Sequence, residues 1–161
     1  MDRFAIPVSG EQDSFKSPGR DLVIILDTNV VSELMRAVAA PNVLKSVRRY
    51  SADELHTTAI TLAEILYGIE LLPSGKRKNE LISGSERLFT VVLGNRILAF
   101  DEHGAKLFSA IAADRRKLGR PIAELDAQIA AIARLHGATL ATRNTADFEG
   151  CGIRLVNPWV D

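Results

Sequence analysis

Residues 22–26, Leu-Val-Ile-Ile-Leu, form an unbroken apolar run. The run is too short for a buried helix and rich in β-branched residues. It predicts a strand covered on both faces, as strands of parallel sheets are. Val30, Val31, Leu34 and Met35 then recur at helical spacing, with Thr28 or Asn29 as the N-cap. Pro41 restarts the chain as a second short helix carrying Val43, Leu44 and Val47. Residues 55–58 predict a second strand. Thr61 opens the next helix, with Ile65, Leu66, Ile69 and Leu72 along it and Pro73 as its stop.

A polar connector follows, then a less regular helix over residues 79–88 and a third strand over 96–100. Asp101 caps a long helix that places Ala105, Leu107, Phe108, Ile111 and Leu118 on its apolar side and ends at Gly119 and Pro121. Another helix is predicted over 122–136, with Gly137 as its stop. Strands over 138–142 and, more weakly, 153–156 complete the series. Short strands alternating with helices require crossover connections. The fold class is therefore α/β, three layers, with a central, mainly parallel sheet of four or five strands flanked by helices. Residues 1–20 carry Pro7, Gly10, Pro18 and Gly19 without periodicity and predict a disordered extension; residues 21–161 form one domain.

Composition narrows the function classes only slightly. Lys plus Arg balance Asp plus Glu at 20 each, so the chain lacks the overall basic charge of a non-specific nucleic-acid binder. Positive charge is local instead, at Lys45-Arg48-Arg49, Lys76-Arg77-Lys78 and Arg115-Arg116-Lys117-Arg120. The single cysteine, Cys151, excludes an intrachain disulfide and suits a reducing cytosol. No apolar run approaches a membrane span, and the N-terminus lacks a signal-peptide core. The expected location is cytoplasmic.

The candidate chemistry is acidic. In doubly wound sheets, ligands bind beyond the carboxyl ends of the strands. Asp27 directly follows the first strand. Glu64 lies in the helix after the second, where Thr61-x-x-Glu64 also reads as a capping box. Asp126 lies early in the helix before the fourth strand, where the helix dipole alone would favour it. Asn144 and Asp147 follow the fourth strand, where they also suit a turn. Carboxylates gathered at one sheet edge repel unless a cation is present. With no cysteine cluster, and with His56, His103 and His136 scattered, the oxygen donors select a hard ion, Mg2+ or Mn2+.

Four blocks in order carry a family resemblance: Val-Ile-Ile-Leu-Asp27-Thr28-Asn29-Val-Val-Ser32-Glu33-Leu, then Thr61-Leu-Ala-Glu64-Ile-Leu-Tyr67-Gly68, then Asp126-Ala-Gln-Ile-Ala-Ala-Ile-Ala, and finally Gly137-Ala-Thr-Leu-Ala-Thr142-Arg143-Asn144-Thr-Ala-Asp147-Phe148. Together they resemble the PIN-domain ribonuclease toxins of the VapC/FitB type. The resemblance implies a PIN domain over 21–161, with Asp27, Glu64 and Asp126 as metal-binding acids. Asn144 takes the fourth position, where the family often has Asp. An amide keeps one oxygen and loses the charge, which leaves one ion or two open, and Asp147 is the acid nearby. The resemblance also implies Thr28 and Asn29 as supports and Thr142 as an orienting hydroxyl. Its further implications are RNA as substrate, a homodimer, and a cognate antitoxin bearing a DNA-binding domain. The helical residues Val30, Leu34, Ile65 and Ile69 suit either core or an antitoxin groove.

Two rivals lie outside this reading. Haloacid-dehalogenase-like phosphatases also place an Asp after the first strand but need a second Asp two residues on, where this chain has Asn29. A non-catalytic PIN-like binding module is the other; such a module has no need of clustered acids facing phosphates.

Overall fold

The computed structural model describes residues 22–161; the extension expected over residues 1–20 lies outside them. Within them, β1 (Ile24–Leu26), β2 (Leu55–Thr58), β3 (Ile97–Leu98), β4 (Thr139–Ala141) and β5 (Arg154–Val156) form one sheet in the order β3-β2-β1-β4-β5. Every pairing is parallel. The order reverses at β1, which has β2 on one side and β4 on the other. The crevice at that reversal is where an open α/β sheet binds its ligands.

Side-chain alternation along β1 builds the layers. Ile24 and Leu26 enter one core with Val30, Val31, Leu34, Ile65, Ile69 and Leu93; Ile25 enters the other with Ile111, Ile129, Ile132 and Leu140. The first core lies under α1 (Thr28–Leu34), α2 (Pro41–Val47), α3 (Ala59–Glu70) and α4 (Lys76–Arg87). The second lies under α5 (Glu102–Lys117) and α6 (Glu124–Leu135). The three-layer α/β architecture expected from the pattern is present. Val30, Leu34, Ile65 and Ile69 are buried in this core, so no groove is built from them.

Helix starts differ from the sequence reading in ways that matter for the site. The N-cap of α1 is Asp27, one residue before Thr28, because its carboxylate accepts the Thr28 amide at 2.8 Å. The N-cap of α3 is Thr58, whose hydroxyl accepts the Thr61 amide at 3.1 Å. Thr61 is therefore three residues into the helix and Glu64 six, so Thr61-x-x-Glu64 is not a capping box and Glu64 is released from that role. Residues 79–88 extend backward to Lys76 and forward into one π turn, Leu88–Val92. The last predicted helix starts at Glu124 rather than 122, which puts Asp126 in its first turn. A one-turn helix, α7 (Thr145–Phe148), occupies the segment expected to be a turn, and Asn144 is its N-cap residue.

The carboxyl end of β1 is tied to its neighbours by more than the ladder. The buried Thr57 hydroxyl in β2 donates to the Leu26 carbonyl at 2.8 Å, just before Asp27. Thr57→Val keeps the shape and removes this bond. The expected loss is about 1–2 kcal/mol in urea denaturation; an unchanged midpoint would show that the ladder alone holds the strand end.

Candidate metal centre at the sheet edge

Asp27 sits where β1 turns into α1 and is only 4% exposed. A buried carboxylate needs hydrogen-bond donors, and the chain supplies them from both ends of its length. The Thr142 hydroxyl, at the carboxyl end of β4, donates to Asp27 Oδ2 at 2.7 Å. The Thr28 amide donates to Oδ1 at 2.8 Å. The Asn29 amide lies 3.4 Å from Oδ2 and 3.3 Å from Thr142 Oγ1. Asn29 Oδ1 in turn accepts the Arg143 amide at 3.2 Å, and Thr142 Oγ1 accepts the Asn144 amide at 3.1 Å. Thr28, Asn29 and Thr142 thus frame Asp27. The parallel β1–β4 pairing, with Leu26 opposite Ala141, sets that frame.

Glu64 reaches the same edge from α3. The Thr28 hydroxyl donates to Glu64 Oε2. Thr28 Oγ1 also lies 3.2 Å from Thr61 Oγ1, which is 3.4 Å from Thr58 Oγ1. A hydroxyl has one proton to give. With that of Thr28 engaged by Glu64, Thr61 donates to Thr28, and the three threonines form a relay that holds the glutamate.

Electrostatics join the remaining acids to these two. Burial raises the Asp27 carboxyl above its ordinary range; the Thr142 and Thr28 bonds work against this, and the charges of Glu64 and Asp147 add to it. Asp126, half-buried in the first turn of α6, is raised to about 6, first by burial and then by the charges of Asp27, Asp147 and Glu64. Asp27 and Asp126 therefore both feel the charges of Glu64 and Asp147 at the reversal of the sheet. The fourth charge is that of Asp147, from α7; Asp147 and Asn144 are both exposed, and Asn144 contributes a backbone amide to Thr142 rather than a charge. The sequence placed Asp147 near the site but the motif pointed to Asn144. What distinguishes them is α7, which carries the residue three positions later back toward Asp27 and Asp126.

Among the described residues, no three His, Cys, Asp or Glu side chains are set closely enough to hold an ion by themselves. The acids are electrostatic neighbours, not a closed coordination shell. Their chemistry fits a hard cation all the same: the donors are oxygens, and two of the acids carry raised pKa values that positive charge would relieve.

Two outcomes follow. Asp27 is both a cap and a source of repulsion, so Asp27→Asn, which retains the acceptor for the Thr28 amide and removes the charge, is expected to be at least as stable as the parent in metal-free buffer at pH 7.5. Asp27→Ala loses the cap and should be less stable than Asp27→Asn by about 1–2 kcal/mol; equal urea midpoints for the two variants would refute the capping role. The second outcome concerns pH. Asp126 ionises near 3.9 in an unfolded chain and at about 6 here. Between those values the folded state holds the extra proton, so this group favours folding at the acid end, and that contribution is lost as pH rises through about 6. Allowing for solvent screening of a half-buried carboxyl, it is worth about 1–2 kcal/mol. The metal-free melting temperature should fall between pH 5 and 7.5, and Asp126→Asn should flatten that fall; identical profiles for the two proteins would contradict it.

Comparison with known proteins places this arrangement in a family. The PIN domain model matches residues 24–150. The plasmid stability protein StbB of Pseudomonas syringae pv. tomato is 39% identical over 137 residues, covering 85% of this chain and 99% of that protein. Toxin FitB of Neisseria gonorrhoeae is 37% identical over 139 residues, covering 86% of this chain and all of FitB. Among solved structures, FitAB bound to the IR36 DNA fragment superposes with a TM-score of 0.79 at 36% identity, covering 85% of this chain and 96% of that one. The four acids, the all-parallel sheet and these matches agree: the chain belongs to the PIN-domain family and is closely related to the VapC- and FitB-type toxins of toxin–antitoxin systems.

Proposed function

We propose that this protein is a divalent-cation-dependent ribonuclease and the toxin of a type II toxin–antitoxin pair. The observation that carries this reading is the gathering of carboxylates at the reversal point of the sheet, where Asp27 and Asp126 both feel the charges of Glu64 and Asp147. Asp27, Glu64 and Asp126 would hold Mg2+ or Mn2+, with Asn144 at the rim. A cation bound there supplies positive charge for the phosphoryl oxygens and acidifies water for attack on phosphorus. The chain's own groups do the rest. Thr142 and the Thr28 amide fix both oxygens of Asp27. The threonine relay fixes Glu64. Asp126, in the first turn of α6, brings a third carboxylate to the edge where Asp27 and Glu64 stand.

The relatives support the biological side of the proposal. One of them is named VapC ribonuclease Y4jK, 36% identical over 137 residues. The FitAB structure is one of a complex on DNA. We extend these to the present chain as RNA substrate, a homodimeric toxin, and an antitoxin partner that brings a DNA-binding domain. Among the described residues no helix is long and apolar enough to cross a membrane, in keeping with action on RNA in the cytoplasm.

Purified protein should cleave RNA in Mg2+ or Mn2+, lose activity in EDTA and regain it when Mg2+ is returned. Asp27→Asn should reduce the rate by two orders of magnitude or more while the protein remains folded. Full activity in EDTA after dialysis would overturn the metal mechanism. A folded, Mg2+-binding protein that cleaves no RNA would instead favour a PIN-like binding module.

A further inference from the structure

A run of exposed cations leads from the acidic centre by way of Arg143 toward α2. Arg143 follows Thr142 directly, and its backbone amide is held by Asn29 Oδ1. Its guanidinium is exposed and lies over the Trp159 ring, 5.3 Å from the centroid. The Trp159 carbonyl accepts the Asn42 side-chain amide at 3.1 Å, which ties the C-terminal turn to the first turn of α2. From there α2 and its C-terminal turn present Lys45, Arg48 and Arg49, all exposed, beside a cavity of about 350 Å³. Among the described residues none of these four cations has an acidic partner within 4.0 Å. On a chain of zero net charge, unpaired cations leading from an acidic centre by way of an aromatic ring are an uneven arrangement that calls for a ligand.

We propose that this track is the subsite for the single-stranded flank of the RNA substrate, an inference that rests on the ribonuclease reading above. The Arg143–Trp159 pair is a stacking platform for one unpaired base beside the scissile phosphate, and Lys45, Arg48 and Arg49 take the phosphates of the following nucleotides. Three features favour RNA over an acidic protein segment. The track is continuous with the catalytic edge through Thr142 and Asn29. A guanidinium backed by an indole offers a base a flat cationic face. The cations then continue along α2, as a phosphate backbone requires. Splayed, unpaired bases reach such a platform and stacked duplex bases do not, so the track selects single strands.

The test uses the full chain in an Asp27→Asn background, which prevents turnover, and a fluorescent oligouridylate of about 12 nucleotides with an RNA duplex of equal length. Lys45→Gln/Arg48→Gln/Arg49→Gln should lower the slope of log K against log salt for the single strand by about 2, since each phosphate contact contributes about 0.7. Arg143→Gln should weaken single-strand binding about 5- to 150-fold, the range expected for loss of one stacked base, and weaken duplex binding far less. Trp159 packs against the core, so Trp159→Phe accompanies Trp159→Ala. Partial recovery by Phe, with melting temperatures matched, marks a stacking role. Unchanged slope and affinity in the triple variant would overturn the track. Equal losses on single strand and duplex would overturn the platform. A triple variant that binds RNA normally but loses its co-encoded protein partner would assign the surface to that partner instead. Failure of the ribonuclease reading would appear separately, as absence of cation-dependent cleavage by the unaltered chain.

Discussion

One carboxylate in a nearly dry position organises this molecule. Asp27 is set at the end of a strand buried on both faces, where an ion is costly unless donors surround it. The chain meets that cost with Thr28 beside it and Thr142 on the neighbouring strand. The Thr28 amide is local to the cap, whereas the Thr142 hydroxyl depends on the β1–β4 pairing in its observed register. A slip of one residue would turn Ile25 out of its core and carry Thr142 off Asp27 at once, so the packing that stabilises the sheet also positions the acid.

The other acids arrive on helices rather than strands, each launched from the same edge. Glu64 comes from the second turn of α3, Asp126 from the first turn of α6 and Asp147 from the single turn of α7. A helix start is a suitable carrier because its unpaired amides offset nearby negative charge. The offset is incomplete at Asp126, which burial first and then the charges of Asp27, Asp147 and Glu64 hold at about 6. Repulsion left standing in the metal-free protein is free energy that a cation can recover on binding. On the proposed reading, the stability cost at the site and affinity for a divalent ion would be one property seen in two states.

Most of the architecture was legible in local pattern. The five strands, the alternation with helices and the place of Asp27 follow from apolar runs and from residues that start or stop helices. The errors were local competitions between residues able to do the same job. Asp27, Thr28 and Asn29 can each cap α1, and Thr58 and Thr61 can each cap α3. Pattern does not rank them, because the winner is the one whose side chain the folded backbone brings onto a free helix amide. Thr28 and Thr61 are occupied with Glu64 and with each other.

The sequence by itself determined that this is a parallel α/β domain with acids at strand ends and near helix starts, since runs, periods and helix signals extend over only a few residues. The tertiary structure alone decided which acids act together. Thr142 meets Asp27 across 115 residues of chain, and Thr28 meets Glu64 across 36. Asp147 brings its charge to bear on Asp27 and Asp126 from the single turn of α7. Arg143 lies on Trp159 because β5 returns the C-terminus beside β4. These contacts are fixed by strand order and register, which arise from the packing of the whole chain and leave no mark in any short window of it.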